Sequence, residues 1–488
     1  MAVAQTSITL PVFSQLLEPA GIAPAQDFEI STTLVCETLP DLELRARIRF
    51  ILDEQVSFRM GKSDEVRRLI RFWRAELSPT IDNADDIFVS GFEDDEELKD
   101  MASEAPIIRL VNHLFARALD LNASDIHFEP NEDHLDVRCR VDGIMTRIER
   151  LPIKIHTAVA SRLKLMARLD IGEKRLPQDG RIDSRIGNKQ LDMRVSTLPG
   201  MHGESIVLRI LDRSDTAVSL QQLGMPENIL KTWQRLITQP HGMILITGPT
   251  GSGKTTTLYA TLEKINSEKQ KIITVEDPVE YQLEGITQIQ ANASIGLNFA
   301  AGLRSIVRQD PDILMVGEIR DHETAEISIE SALTGHLVFS TLHTNDAAGA
   351  VTRLQDMGVE SYLISSSLLA IQAQRLVRRV CTDCGHEHPL TDDEAVVLEI
   401  SKADYPHVRR GAGCERCAGT GYRGRIGLYE LLVMTDTLRH EVATGADANV
   451  IRAQAVKEGM KTLRQDALEK LAAGLTTPEE VVRVTRAL

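Results

Sequence analysis

The feature that most constrains this chain is a glycine-rich stretch, Gly248-Pro-Thr-Gly-Ser-Gly-Lys254-Thr255, directly after the apolar run 243–246. It fills every fixed position of the P-loop pattern G-x-x-x-x-G-K-[ST], in which a buried strand turns into a helix. Its glycines allow successive backbone N–H groups to face phosphate oxygens, where a Cβ would obstruct them. A chance glycine-rich turn is the alternative. The apolar strand before the stretch and the helix-compatible residues after it favour a nucleoside triphosphate site.

Each part of this stretch has a predicted task. Lys254 places a positive charge near the β- and γ-phosphates, Thr255 offers its hydroxyl to Mg²⁺, and the following helix directs its positive end at the anion. We therefore expect ATP and Mg²⁺ as ligands. The predicted nucleotide-binding residues of the loop are Gly248, Pro249, Thr250, Gly251, Ser252, Gly253, Lys254, Thr255 and Thr256.

Composition excludes several classes of protein. The net charge of −16 over 488 residues argues against a chain that coats nucleic acid, because phosphate neutralisation needs a basic face. No apolar stretch approaches the ~20 residues that span a bilayer, and the N-terminus lacks the basic and apolar regions of a secretory signal. We expect a cytoplasmic protein whose membrane contact comes through a partner. The six cysteines are then not expected to form structural disulfides.

The chain is long enough for several domains, and patterns along it predict an α/β fold class. A parallel, doubly wound, RecA-like P-loop sheet is expected at 220–375, because helix-like and apolar strand-like segments alternate there. The other predicted parts are a small helical N-terminal domain at 1–90 (helical stretches 43–51 and 63–77), an acidic linker at 91–104, an α+β, PAS-like domain at 105–219, a four-cysteine module at 376–430 and a helical C-terminal region at 431–488.

Two carboxylates and a histidine follow predicted strands of the P-loop domain. Glu276 ends one strand and Glu318 ends another in the Walker B manner, while His343 follows a third. Ligands gather at the carboxyl ends of strands in open α/β sheets. Glu318 fits the Mg²⁺ side, Glu276 fits the activation of water, and His343 fits a sensor of the γ-phosphate. A solvated cap or a salt-bridge partner is the alternative for either acid, and a structural hydrogen-bonding role is the alternative for the histidine. The division of base and metal roles between the two acids stays open.

Four cysteines form two pairs with metal-ligand spacing. Cys381 and Cys384 make one C-x₂-C pair, Cys414 and Cys417 make the second, and 29 residues separate the pairs. Two such pairs can hold one tetrahedral Zn²⁺, and a full set of thiolates leaves no open catalytic position. The gap exceeds the ~15–20 residues of a zinc ribbon, so we expect the segment 389–408 to loop out. A redox dithiol or four unrelated thiols are the alternatives to structural zinc.

Together these motifs resemble the secretion ATPases of type II secretion and type IV pilus systems. The segment Arg175-Leu-Pro-Gln-Asp-Gly-Arg and the four cysteines are similar to the type II assembly ATPases, the E components. The resemblance covers residues from about 105 to 488, and residues 1–90 share only position and length. The motifs that carry the resemblance are the P-loop, the acidic box 273–280, the strand 313–321 and the box 334–345.

The resemblance implies a homo-hexameric ring that binds ATP between the α+β and P-loop domains and drives a pseudopilus for protein export. It implies that Arg194 and Arg209 of the α+β domain reach the phosphates, with Arg304 and Arg308 as a further pair near the nucleotide. It also implies that the N-terminal domain docks on the cytoplasmic part of a bitopic inner-membrane protein, the L component. A polytopic platform protein and, indirectly, acidic phospholipid are further expected partners. Nucleic acid is not expected.

Other functions remain open at this point. A type IV pilus extension ATPase shares the fold and the boxes, whereas a retraction ATPase usually lacks the cysteine module and the extra N-terminal domain. A DNA-uptake or DNA-transfer motor is disfavoured by the net charge of −16. A scaffold that binds ATP without turnover is disfavoured by the two intact carboxylates.

Overall fold

The computed structural model describes residues 105–186, 189–212 and 218–485, and parts of the first ninety residues: 17, 22–24, 33–40, 44, 45, 48, 56–63, 65, 66, 69 and 70. The chain divides into two units, Met1–Gly91 and Phe92–Leu488, which are described separately. The predicted acidic linker, residues 91–104, lies outside the described residues. Among the helices of the described ranges, none combines the length and the apolar character that a membrane span requires.

The first unit contains a small sheet. Its strands are β1 (Ile22–Pro24), β2 (Thr33–Cys36) and β3 (Ser57–Met60), with β2 central, antiparallel to β1 and parallel to β3. Helical residues at 44, 45 and 48 and at 63, 65, 66, 69 and 70 fall in the two predicted helical stretches. The sheet itself was not predicted, because strands of three or four residues are too short to show an alternating apolar pattern.

The second unit begins with a mixed domain built on a six-stranded antiparallel sheet of order β6-β5-β4-β9-β8-β7. Helices α1 and α2 contact each other and the sheet. The turn at Asp142-Gly143 joins β5 to β6. The elements are α1 (Ala105–Asp120), β4 (Ala123–Pro130), β5 (His134–Val141), β6 (Ile144–Pro152), α2 (His156–Ala167), β7 (Gln178–Ile186), β8 (Lys189–Gly200) and β9 (Gly203–Asp212).

A seven-stranded sheet follows and forms the centre of the molecule's second unit. Its elements up to the last strand before the cysteines are α3 (Glu227–Leu236), β10 (Gly242–Thr247), α4 (Lys254–Ile265), β11 (Ile272–Glu276), β12 (Thr287–Gln290), α5 (Phe299–Ile306), β13 (Ile313–Val316), α6 (His322–Leu333), β14 (Leu337–Leu342), α7 (Ala347–Asp356), α8 (Ser361–Ser367) and β15 (Leu368–Val380). The remaining elements are β16 (Gly385–Pro389), α9 (Asp392–Leu398), β17 (His407–Gly411), β18 (Tyr422–Val433), α10 (Asp436–Ala443), α11 (Ala448–Lys457), α12 (Leu463–Ala472) and α13 (Pro478–Thr485).

The order of this sheet is β12-β11-β13-β14-β10-β15-β18, and every pair is parallel except β15–β18. The P-loop strand β10 is buried at every position. Met243 and Leu245 pack into one apolar core, whereas Ile244 and Ile246 pack into another. Both faces of the sheet are therefore covered, which explains the unbroken apolar run of this strand. The predicted mainly parallel α/β fold is confirmed.

The segment that contains the four cysteines connects β15 to β18, two strands of this sheet. The predicted boundary at residue 375 falls inside β15, which continues to Val380 and pairs with β18. The added ladder satisfies backbone groups that would otherwise form an open edge. Between these strands, β16 and β17 form an antiparallel pair with α9 inserted in their connection. The four helices α10 to α13 confirm the predicted helical C-terminal end.

Candidate functional site

The P-loop lies at the carboxyl end of β10 and leads into α4. Gly251 and Gly253 have φ values of +78° and +88°, in the region that side chains with a Cβ rarely adopt. At Gly248 space is also lacking, because a Cβ there would lie 2.4 Å from the carbonyl oxygen of Gln374 on the neighbouring strand. The backbone of the stretch is thus in the curled form that the phosphate-binding pattern predicts.

Lys254 begins α4 and folds back over the loop. Its side chain is buried, and Nζ donates hydrogen bonds to the carbonyl oxygens of Gly248 at 2.7 Å and Pro249 at 3.2 Å. Burial lowers the pKa of Lys254 to about 8, while the charge of Glu318 opposes that change. Thr255 and Thr256 follow in the first helical turn and are exposed to solvent. The loop therefore presents two exposed threonine side chains beside a buried lysine that is held by backbone carbonyl oxygens of the loop.

Glu318 lies just beyond β13, at the same end of the sheet. Its Oε1 lies 2.5 Å from a guanidinium nitrogen of Arg320, and its Oε2 lies 3.2 Å from Nε2 of His343. Burial alone would raise the pKa of Glu318, but Arg320 and His343 hold it below its usual value. Since its charge also acts on Lys254, the structure brings Lys254, Glu318 and His343 together, as parallel strand ends should.

Glu276 ends β11 and is enclosed by three hydrogen-bond donors. Thr274 donates to Oε1 at 2.5 Å, Gln288 donates to the same oxygen at 3.1 Å, and the hydroxyl of Tyr259 donates to Oε2. Tyr259 belongs to α4, and burial together with the charge of Glu276 raises the pKa of its hydroxyl above the ordinary range. Sequence reasoning missed Tyr259 and Gln288, since neither belongs to a motif and only the fold places them beside the acid.

The contacts that the structure gives for the arginines implied by the resemblance are with residues outside the P-loop. Arg194 donates to the carbonyl oxygen of Val279 at 3.1 Å, and Arg209 pairs with Asp125 at 3.0 Å within its own sheet. On the surface of α5, Arg304 pairs with Glu323, while Arg308 follows the helix and is exposed. None of the contacts found for them within the described ranges involves the P-loop. Their catalytic roles stay predictions. The partners of these arginines are Val279, Asp125 and Glu323.

A cleft of about 1100 Å³ opens between the two sheets of the second unit. Arg181 and Asp192 line it from the six-stranded sheet, and the loop after β11 lines it from the other side. Its remaining walls carry several acidic side chains, including Glu263 and Glu280, and no residue of the P-loop. Acidic walls repel polyphosphate, so this cleft is poorly suited to bind phosphate groups.

The four cysteines form one compact cluster. Their Sγ atoms all lie within 4.8 Å of one another. The measured separations are 3.9 Å for Cys381–Cys414, 3.8 Å for Cys384–Cys417 and 3.6 Å for Cys414–Cys417. Tetrahedral Zn²⁺ with Zn–S bonds of ~2.3 Å requires sulfurs about 3.8 Å apart. The donor set and its dimensions fit structural zinc.

Backbone N–H groups stabilise negative charge on one thiolate of the second cysteine pair. Cys417 Sγ accepts backbone N–H groups of Cys414 at 3.1 Å and Gly421 at 3.2 Å. Although burial opposes ionisation, these donors hold the pKa of Cys417 at about 6. A thiolate stabilised in this way is a metal ligand. The pairing of β16 with β17 brings the two C-x₂-C segments together, so the residues between them form a hairpin with a helix instead of an irregular loop.

Comparisons with known proteins agree with this arrangement. Residues 100–483 match the family described as Type II/IV secretion system protein. Type II secretion system protein E of Pectobacterium carotovorum subsp. carotovorum is 46% identical over 476 residues, which cover 94% of this chain and 93% of that protein. The protein of the same name from Pseudomonas aeruginosa is 50% identical over 391 residues, covering 80% of this chain and 78% of that protein.

Solved structures share the fold. The Legionella pneumophila ATPase DotB superposes with a TM-score of 0.57 at 23% identity, covering 78% of this chain and 96% of that one. The pilus retraction motor PilT, solved with bound ADP, superposes with a TM-score of 0.52 at 26% identity, covering 78% and 98%. Because the family match and the identity to the relative from Pectobacterium carotovorum subsp. carotovorum extend over most of the sequence, this chain belongs to the type II/IV secretion system protein family.

Proposed function

We propose that this protein is the ATPase of a type II secretion system, which hydrolyses ATP to power pseudopilus assembly and protein export. The observation that carries the proposal is the placement of Glu318 and His343 beside Lys254 at the end of the P-loop strand. The relatives named type II secretion system protein E, at 46% and 50% identity, favour secretion over the pilus-extension alternative.

The residues of the site suggest how the chemistry proceeds. The P-loop N–H groups hold the phosphates, and Lys254 exchanges its two backbone acceptors for phosphate oxygens. Bound Mg²⁺, held on the side of Thr255 and Glu318, would neutralise charge on the β- and γ-phosphates. Glu276 orients water and accepts its proton as the oxygen bonds to the γ-phosphorus and the bond to the β-phosphate oxygen breaks. Within the described ranges Oε2 of Glu276 accepts one hydrogen bond, from the Tyr259 hydroxyl, and a carboxylate oxygen has a second lone pair for that water.

Assembly forms the next part of the proposal. We propose a homo-hexamer in which Arg194, Arg209, Arg304 and Arg308 complete nucleotide sites through domain closure or from neighbouring subunits. Arginine supplied in this way couples phosphoryl chemistry to movement. The exposed positions of Arg209, Arg304 and Arg308 are consistent with such a role.

The remaining proposals concern location and domains. Residues 1–90 dock on the L component, so that the protein works in the cytoplasm against the inner membrane, beside the platform protein and acidic phospholipid. The predicted divisions at 91–104, 105–219, 220–375, 376–430 and 431–488 are proposed as functional units.

Structural Zn²⁺ at the four cysteines is proposed to hold together the module between β15 and β18. The distances between the sulfur atoms support this proposal.

The experiment that tests the function is the ATPase rate of the purified chain with Mg²⁺. It is measured alone, with the cytoplasmic domain of the L component plus acidic phospholipid, and with DNA. We expect stimulation by the partner and lipid and none by DNA. Stimulation by DNA alone would assign the protein to the nucleic-acid motors, and absence of turnover in every condition would favour an ATP-binding scaffold.

A further inference from the structure

Arg375 lies on β15 beside the P-loop. The strands β15 and β10 are parallel neighbours, and Thr247, the last residue of β10, pairs with Ala373. The next residue, Gln374, packs against the loop: a Cβ on Gly248 would lie 2.4 Å from its carbonyl oxygen. The sheet therefore holds Arg375 alongside the phosphate-binding loop, although no nucleotide-binding motif contains it.

The Arg375 guanidinium ties together the two strands that flank β10. Its Nη2 donates to the backbone oxygen of Asn345 at 3.0 Å and to the side-chain Oδ1 of the same residue at 3.1 Å. Asn345 follows β14, on the other side of β10, and comes two residues after His343. The loop that carries His343 is thus anchored to β15, and the hydroxyl groups of Thr247 and Thr344, 2.7 Å apart, add a second attachment.

Among the residues that the structure describes, no carboxylate forms a direct ion pair with Arg375. The residue is 7% exposed, and within the described ranges its Nη1 finds no hydrogen-bond acceptor and its guanidinium forms no ion pair. Asp346 and Glu430 act on it electrostatically, yet Asp346 pairs with Arg452 and Glu430 accepts backbone N–H groups at the starts of α7 and α12. Burial lowers the pKa of Arg375. Such a cation is costly unless an anion arrives nearby.

We propose that Arg375 is a positioning residue that makes this site distinguish ATP from ADP. The inference rests on the proposed function. On the proposed function, the P-loop amides would hold the phosphates that ADP and ATP share, and His343 and Glu318, which lie together near Lys254, would face the third phosphate of ATP. By fixing the loop of His343 and adding a buried positive charge without a direct ion pair beside the P-loop, Arg375 stabilises the state that carries the extra negative charge.

The test compares the affinities of the full-length chain and its Arg375→Gln variant for MgADP and for a non-hydrolysable Mg–ATP analogue. We expect the affinity for the analogue to fall on the order of tenfold, the size of one lost charge-assisted hydrogen bond. The affinity for ADP should change less than about twofold by the same reasoning. General damage to the fold would lower both affinities together, so the ratio of the two reports on positioning.

Three further variants sharpen the test. Arg375→Lys keeps the charge but loses the paired bonds to Asn345, so it should retain much of the analogue affinity and lose turnover. Asn345→Ala should shift the ratio of the two affinities in the same direction as Arg375→Gln. It replaces Arg375→Gln in the test if that variant fails to fold. Arg379→Gln removes an exposed charge from the same strand and should change neither affinity.

The outcomes separate this inference from the proposed function. Lys254→Ala should abolish binding of both nucleotides, and if it binds both as well as the unchanged chain does, the nucleotide site itself is misassigned. If Lys254→Ala loses binding while Arg375→Gln and Asn345→Ala leave the affinity ratio unchanged, or lower both affinities equally, only the role of Arg375 is overturned. A shifted ratio in both variants supports the inference.

Discussion

The P-loop end of the large sheet and the four-cysteine cluster are two sites of opposite design. The cysteine cluster is complete, because four sulfurs lie within 4.8 Å of one another and backbone donors already support one thiolate. The P-loop end is more open: Thr255 faces solvent, and Lys254 is held by a carbonyl oxygen of its own loop. A site that stabilises a fold can close around its ion, whereas a site that turns over must leave positions for a ligand that comes and goes.

The two sites are also assembled differently. Parallel strands bring Lys254, Glu318 and His343 to one edge of a sheet, so the supporting structure is the whole core of the domain. The cysteine pairs are joined by the short hairpin of β16 and β17, whose few buried side chains, such as Leu390 and Val408, pack into the edge of the large core. Loss of the metal should therefore unfold its module, and loss of a P-loop side chain should leave the sheet intact.

The largest expected effect is the loss of the metal. Replacing Cys381 and Cys384 by Ser should release about one zinc per chain and destabilise the C-terminal region by several kcal/mol, because metal binding energy is folding energy. Metal analysis and thermal unfolding measure both. Thr382→Ala, at an exposed position between these ligands, is the control and should keep the metal. Metal content unaffected by the double replacement would remove the zinc assignment.

The next effect concerns the lysine of the P-loop. Lys254→Ala should lower the ATPase rate about a hundredfold or more, since the phosphate charge loses its nearest cation. The unfolding temperature should stay close to that of the unchanged protein, because the sheet does not depend on this side chain. Lys231→Ala, which removes an exposed lysine paired with Glu227 on α3, serves as the control. An unchanged rate in Lys254→Ala would contradict the P-loop assignment.

A third prediction separates the roles of the two carboxylates. Glu318→Gln should raise the Mg²⁺ concentration needed for turnover, whereas Glu276→Gln should lower kcat about a hundredfold with the Mg²⁺ requirement unchanged. ATPase rates over a Mg²⁺ titration distinguish the two effects. Glu326→Gln, at an exposed acid on α6, should leave both quantities unchanged. The opposite pattern would exchange the roles of the two acids.

The smallest predicted effect tests the enclosure of Glu276. Tyr259→Phe removes one of the three hydrogen bonds that Glu276 accepts, without changing the shape of the core. We expect it to lower kcat about three- to tenfold with little change in KM. The comparison with Glu276→Gln is informative, because Tyr259→Phe in that background should add little further loss. Full additivity of the two changes would show that the tyrosine acts independently of the acid.

Local patterns found much of the candidate site, for a physical reason. A P-loop is defined by backbone geometry over eight neighbouring residues, and a C-x₂-C pair is defined by the reach of two side chains. Both can therefore be recognised in short segments of sequence. Glu276 and Glu318 were found because a strand end is visible as an apolar run followed by an acid. The partners of these acids, Tyr259, Gln288 and Arg320, were not assigned from the sequence, because which side chains meet across strands depends on the strand order.

The sequence by itself determined the α/β class, the nucleotide-binding pattern, the cysteine quartet and the helical end, since each depends on local spacing or on repeated burial along one strand or helix. Only the tertiary structure decided that β15 continues past the predicted boundary to meet β18, and that Arg375 lies behind a loop more than a hundred residues earlier in the chain. Contacts of that kind follow from packing and strand order, which local patterns do not encode.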